Sequence, residues 1–180
     1  MSRQPLLHML ARYRDAFPAE AAMVDRICRL VESHANCFDR TCRPGHITSA
    51  AWILSNDRRR ALLTHHRKLD RWLQPGGHAD GDTDLARVAL REAEEETGLG
   101  DLVLEPGIYD LDRHLIPARK QDPEHYHYDV RFVVRALGSE RFTVSDESHA
   151  LEWRPVRDVA EDENVDPSVR RMARKWLARR

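Results

Sequence analysis

Between His46 and Thr97 the apolar residues of this 180-residue chain change period, and that change limits the fold more than any other feature. The run "HITSAAWILS" is apolar and β-branched, "NDRR" reads as a turn and "ALLTHH" is a second run: a strand, a turn and a strand. "RWLQPGGHADGDT" is rich in Gly, Pro and Asp and reads as a loop. Leu85, Ala86, Ala89, Leu90 and Ala93 then recur at helical spacing, which predicts a helix from about Thr83 to Thr97, capped by Asp82 or Thr83 and ended at Gly98.

The flanks extend the pattern. Leu6, Leu7, Leu10 and Ala11, then Ala22, Val24, Ile27, Leu30 and Val31, predict two helices broken at Pro18, an N-terminal helical extension over residues 1–45 ahead of a domain over 46–180. Downstream, "LVLEPGIYDLDRHLIP", "HYHYDVRFVVRAL" and "ALEWRPVRDV" are strand candidates. "DPSVRRMARKWLARR" is a helix with Asp166 as its cap and Pro167 at its first position. Strands around a central helix, with helices at both ends, argue for an α/β or α+β sandwich.

With 29 Lys+Arg against 30 Asp+Glu, no global charge draws the chain to nucleic acid or to an anionic membrane. No apolar run approaches the roughly 20 residues that span a bilayer, and the start breaks into charge too early for a signal peptide, so the expected location is cytoplasmic. Cys28, Cys37 and Cys42 are an odd number and are expected as reduced thiols. His34, Cys37, Cys42 and His46 could be written as a zinc site, but the spacing lacks a CxxC knuckle, and a loop with buried thiols is the plainer reading.

The run "REAEEETGL" is the chemical signal. At about 100° per residue, Glu92, Glu95 and Glu96 fall on one stripe beside the apolar stripe, and Glu94 points away. Carboxylates near a helix C-terminus oppose the macrodipole by roughly 0.3–1 kcal/mol each. A hard divalent cation removes that penalty, since Mg²⁺ binds through a few carboxylate oxygens and retains waters that can meet phosphates. The competing reading is a solvated acidic face partnered by Arg87 and Arg91. Gly76 and Gly77 favour the cation, because a glycine pair permits a tight turn and close backbone approach to an ion or phosphate.

This stretch resembles the signature of the Nudix hydrolases, G-x5-E-x7-R-E-U-x-E-E-x-G-U with U aliphatic. Gly77 matches the first glycine, and Arg91, Glu92, Ala93, Glu95, Glu96, Gly98 and Leu99 match in register. Thr83 stands where the first glutamate is expected, which leaves the partner of Arg91 open, with Asp82 or Asp80 as substitutes. The resemblance implies an α/β/α sandwich with a mixed sheet. It implies hydrolysis of a pyrophosphate bond in a nucleoside diphosphate linked to another moiety (a nucleotide sugar, a dinucleoside polyphosphate or a nucleoside triphosphate), with Mg²⁺ or Mn²⁺. It implies Glu92, Glu95 and Glu96 as metal ligands, the Gly77 carbonyl completing the shell, and Glu95 or Glu96 orienting water. A glutamate on a later loop often serves as base in the family, and Glu147 in "SDESHALEW" is the candidate. The partner is then a small nucleotide, with no nucleic acid or membrane; assembly is silent, although many relatives pair as homodimers.

At strand periodicity His125, His127, Asp129 and Arg131 share one face. That face could line the substrate pocket, hold a two-histidine, one-carboxylate metal site, or simply meet water, the last being the plainest. Tyr126 and Tyr128 opposite it read as core or base-stacking groups. His78 and His127, with Arg91, are carried forward as substrate contacts; Trp72, His65 and His66 read as packing. Three other functions compete. An isopentenyl diphosphate isomerase-like activity needs a cysteine near the metal, and none follows the box. RNA cap removal lacks a basic cluster interleaved with aromatics. A non-catalytic nucleotide-binding module is the main alternative.

Overall fold

The N-terminal segment is helical because its apolar residues return every three to four positions: Leu6, Leu10 and Tyr13 are buried along α1 (Gln4–Ala16), and Val24, Ile27, Leu30 and Val31 along α2 (Ala21–Ser33). Pro18 cannot continue α1 and opens a single 3-10 turn, Pro18–Glu20. The computed structural model describes residues 2–118, 122–146 and 148–179. Among the described residues the fold is mixed α/β, with five α-helices and a mixed sheet of eight strands.

The chain divides into two compact units, the first being Met1–Ser49, Gly77–Val88 and Pro106–Phe132, and the second Ala50–Gly76, Ala89–Glu105 and Val133–Arg180. Strands β1 (Gly45–Leu54) and β7 (His125–Ala136) and helix α3 (Leu85–Thr97) contribute residues to each.

In the first unit β6 (Asp110–Ile116) runs antiparallel to the start of β7, in a register that sets Asp110 against Arg131, Asp112 against Asp129 and His114 against His127. The start of β1 comes unusually close to β7: the Pro44 carbonyl accepts from the Tyr126 N–H at 3.0 Å. A Cβ on Gly45 would lie 2.3 Å from the Tyr126 carbonyl oxygen, so only glycine fits there. Ser49 Oγ donates to the Leu85 carbonyl at 2.7 Å, fixing the first turn of α3.

In the second unit β2 (Arg60–His66) pairs antiparallel with β3 (Arg71–Leu73), with β8 (Ser148–Pro155) and, through Ala61 opposite Leu54, with the end of β1. β5 (Leu102–Leu104) pairs antiparallel with the end of β7. Ala51, Ile53, Leu62, Ala93, Leu99, Val134 and Leu151 form the core, with Leu90, Phe142 and Trp153 packed against it. Helices α4 (Val156–Glu161) and α5 (Pro167–Leu177) follow; Asp166 accepts from the Ser168 N–H at 2.9 Å and Pro167 occupies the first turn, as the sequence predicts.

Three local expectations change. The loop "RWLQPGGHADGDT" contains β3 and another three-residue strand, β4 (Gly76–His78), segments too short to carry a legible alternation. The cap of α3 is Asp84, which accepts from the Arg87 N–H at 3.1 Å, while Asp82 accepts from the Asp84 N–H one step earlier. Finally, "ALEWRPVRDV" is not strand throughout: Pro155 has no N–H to continue the ladder, and α4 begins directly after it. No helix among the described residues is long and apolar enough to cross a membrane.

Candidate functional site

The end of α3 is shaped by what stops it. Gly98 takes a left-handed conformation (φ 65°) and its N–H returns to the Glu94 carbonyl at 2.8 Å, while a Cβ there would lie 3.2 Å from Thr143 Cβ. Thr97 Oγ1 donates to the Ala93 carbonyl at 2.5 Å and accepts from the Leu99 N–H at 3.2 Å. With Leu90, Ala93 and Leu99 in the core, the glutamates of the last turn are held in fixed directions beside it.

They differ in environment. Glu96 is buried at 6% exposure, and its Oε1 accepts from the Gly76 N–H at 2.7 Å. The Glu92 side chain is 16% exposed and pairs with Arg91 at 2.7 Å; Glu95 is largely exposed, with Arg91 Nε 3.9 Å away. Arg91 therefore bridges two of the three acids. Of the two acids named as substitutes for the expected glutamate, Asp82 pairs with Arg87 at 2.8 Å and Asp80 with Arg40 at 2.5 Å. As a donor set, three carboxylates at i, i+3 and i+4, one locked by a backbone amide, suit a hard oxygen-seeking cation. Glu147 lies outside the described residues.

A second constellation lies in the first unit. His127, expected as a substrate contact on a strand face whose plainest reading is that it meets water, is half-buried, and four other imidazoles border it: His46, His78, His114 and His125, at ring-centroid separations of 4.8, 4.9, 5.3 and 5.2 Å. His46 is 1% exposed, and neither ring nitrogen has a hydrogen-bond partner. Burial, reinforced by His78 and His125, pushes its pKa down to about 4; burial, then His78 and His114, push that of His127 down to about 2. Both rings are thus neutral near pH 7.

The remainder of the same strand face is also buried. Arg131 Nε donates to Asp129 at 2.7 Å, and its other nitrogens lie 3.2 Å from Asp110 and 3.4 Å from Asp112. Burial works against its charge, but Asp129, Asp110 and Asp112 outweigh it and its pKa is raised. Thr48 Oγ1 donates to Asp129 at 3.0 Å. Tyr128 is core, and the Arg113 guanidinium sits 3.5 Å over the Tyr126 ring.

His78 and His127 were singled out in sequence, and the fold brings them together; His114 gave no signal of its own. Cys37 and Cys42 are buried thiols, as the plainer reading expects, burial pushing the Cys37 pKa up to about 11; among the described residues the side chains grouped closely enough with His46 to share an ion are His125 and His127.

The profile of the NUDIX domain matches residues 45–176. The chain belongs to the Nudix hydrolase family. A human relative, "Nucleoside diphosphate-linked moiety X motif 6", is 27% identical over 135 residues, 71% of this chain; the chain spans about 40% of that protein's length. The Escherichia coli dihydroneopterin triphosphate pyrophosphohydrolase superposes with a TM-score of 0.60 at 18% identity, over 74% of this chain and 94% of its own. A Caenorhabditis elegans Ap4A hydrolase gives 0.58 at 17%, over 73% and 95%. At these identities the two structures establish the shared fold.

Proposed function

We propose that this chain is a divalent-metal-dependent pyrophosphohydrolase of a small nucleotide derivative: a nucleotide sugar, a dinucleoside polyphosphate or a nucleoside triphosphate. The supporting observation is the set Glu92, Glu95 and Glu96 on the last turns of α3, with Glu96 held by the Gly76 amide. The residues fit Mg²⁺ or Mn²⁺, which when bound neutralises developing phosphate charge and lowers the pKa of water.

In this reading Glu92, Glu95 and Glu96 hold the cation together with the Gly77 carbonyl, Glu95 or Glu96 orients the attacking water, and Glu147 takes its proton. The Gly76 N–H fixes the Glu96 carboxylate, so no side-chain ordering is left to the moment of reaction. Arg91 and His78 meet substrate. The catalytic domain is residues 46–180, preceded by the helical extension 1–45, and the protein works in the cytoplasm.

The test is turnover of a panel of those three substrate classes with Mg²⁺ or Mn²⁺, with Glu96→Gln beside the unmutated chain. Metal-dependent hydrolysis of one class, reduced about 100-fold or more in the variant, is expected. Nucleotide binding without turnover in any class would replace this reading with the non-catalytic module.

A further inference from the structure

We propose that His46, His125 and His127 form a binding site for a divalent transition-metal ion, zinc foremost, chemically distinct from the carboxylate set on α3. One candidate ligand atom from each ring lies within 4.8 Å of the others. Tetrahedral zinc, with Zn–N bonds of about 2.0–2.1 Å, separates its nitrogens by roughly 3.3 Å, so closure asks for movements no larger than about 1.5 Å.

Three features make this a built site. His125 Nδ1 lies 2.8 Å from the Pro123 carbonyl, which can only accept, so Nδ1 is the donor and Nε2 is the ring's nitrogen left for an ion. This is the outer hydrogen bond that orients histidine ligands. His46 is fully buried with both ring nitrogens unpartnered, so a metal would satisfy a lone pair that the protein leaves unanswered. Gly45, adjacent to His46, permits the close passage of β1 past Tyr126, between His125 and His127, and so brings the three rings together.

The chemistry selects the ion. Imidazole suits Zn²⁺, Ni²⁺, Co²⁺ and Cu²⁺, whereas Mg²⁺ prefers oxygen. Imidazole binds a metal in its neutral form, so three such ligands would leave the ion its full positive charge and a fourth position for water. The thiols of Cys37 and Cys42 are not part of the set.

The test uses the untagged full chain, stripped with chelator and titrated with Co²⁺ in a large excess of Mg²⁺. The expected result is the intense visible spectrum of four-coordinate Co²⁺, displaced by Zn²⁺, lost in His46→Gln and in His127→Gln, and retained in Glu95→Gln. Ring-nitrogen NMR of the unmutated chain gives a second readout that survives misfolding of a variant: Zn²⁺ should shift His46, His125 and His127. Absence of both signals overturns the proposal. So does a Co²⁺ spectrum that survives both histidine variants or disappears in Glu95→Gln.

Discussion

The acidic turn of α3 and the histidine group are two ligand sets made in opposite ways. The carboxylates come from three positions of one helical turn, held by a glycine stop and one backbone amide. The imidazoles come from β1, β4, β6 and β7, and meet only because the strands bring them together. The first is half in water, and its arginine bridges one exposed acid and one mostly covered; the second is built around the buried His46 and His125, on a strand face that continues to a guanidinium enclosed by aspartates. A local set can tolerate the loss of a charge, because water replaces the partner; a non-local buried set cannot.

The contrast is most exposed in the two arginines. Arg131→Met leaves Asp110 and Asp129 buried without their cation and should cost about 3–5 kcal/mol in urea unfolding. Arg91→Met, at a pair that is 39% and 16% exposed, should cost below about 1 kcal/mol. Equal losses would erase the distinction. Gly45→Ala tests assembly without touching a ligand: with a Cβ 2.3 Å from the Tyr126 oxygen, β1 must shift, at a cost of about 1–3 kcal/mol and with weaker Co²⁺ binding. Strong binding despite the substitution would mean that the imidazoles do not depend on the strand approach.

Asp84→Ala removes the α3 cap and should cost about 1 kcal/mol, seen as a lowered melting temperature, with Asp82→Ala costing less. The reverse order would restore Asp82 as the cap. The smallest effect concerns thiols. Burial raises the pKa of all three thiols, Cys37 furthest, to about 11, so access decides: native alkylation at pH 8 should reach only the partly exposed Cys28, slowly and at a rate unchanged by Zn²⁺. Zinc-dependent labelling at Cys37 or Cys42 would return the thiols to the metal question.

The same contrast explains what the sequence could reveal. The acidic turn was legible because its spacing is its geometry: i, i+3 and i+4 on a helix already share a face, and Gly98 marks the stop. His78 and His127 were legible only as isolated candidates, and His114 not at all, since no local spacing connects residues on four strands. The face of β7 read as solvent-facing because it is polar; the aspartates that let Arg131 be buried come partly from β6, whose register no single sequence fixes. The helices at both ends followed from periodicity and caps, whereas β3 and β4 were too short to register.

The amide of Gly76 has a use beyond holding Glu96 in place. A backbone proton bonded to a carboxylate feels every change in that group's charge, so its resonance frequency and its exchange with solvent should track ionisation and cation loading at Glu96. In a glycine, that signal falls in a distinctive region of an amide spectrum. The protein thus carries its own optical-free indicator of occupancy at the acidic turn, readable before any substrate has been found.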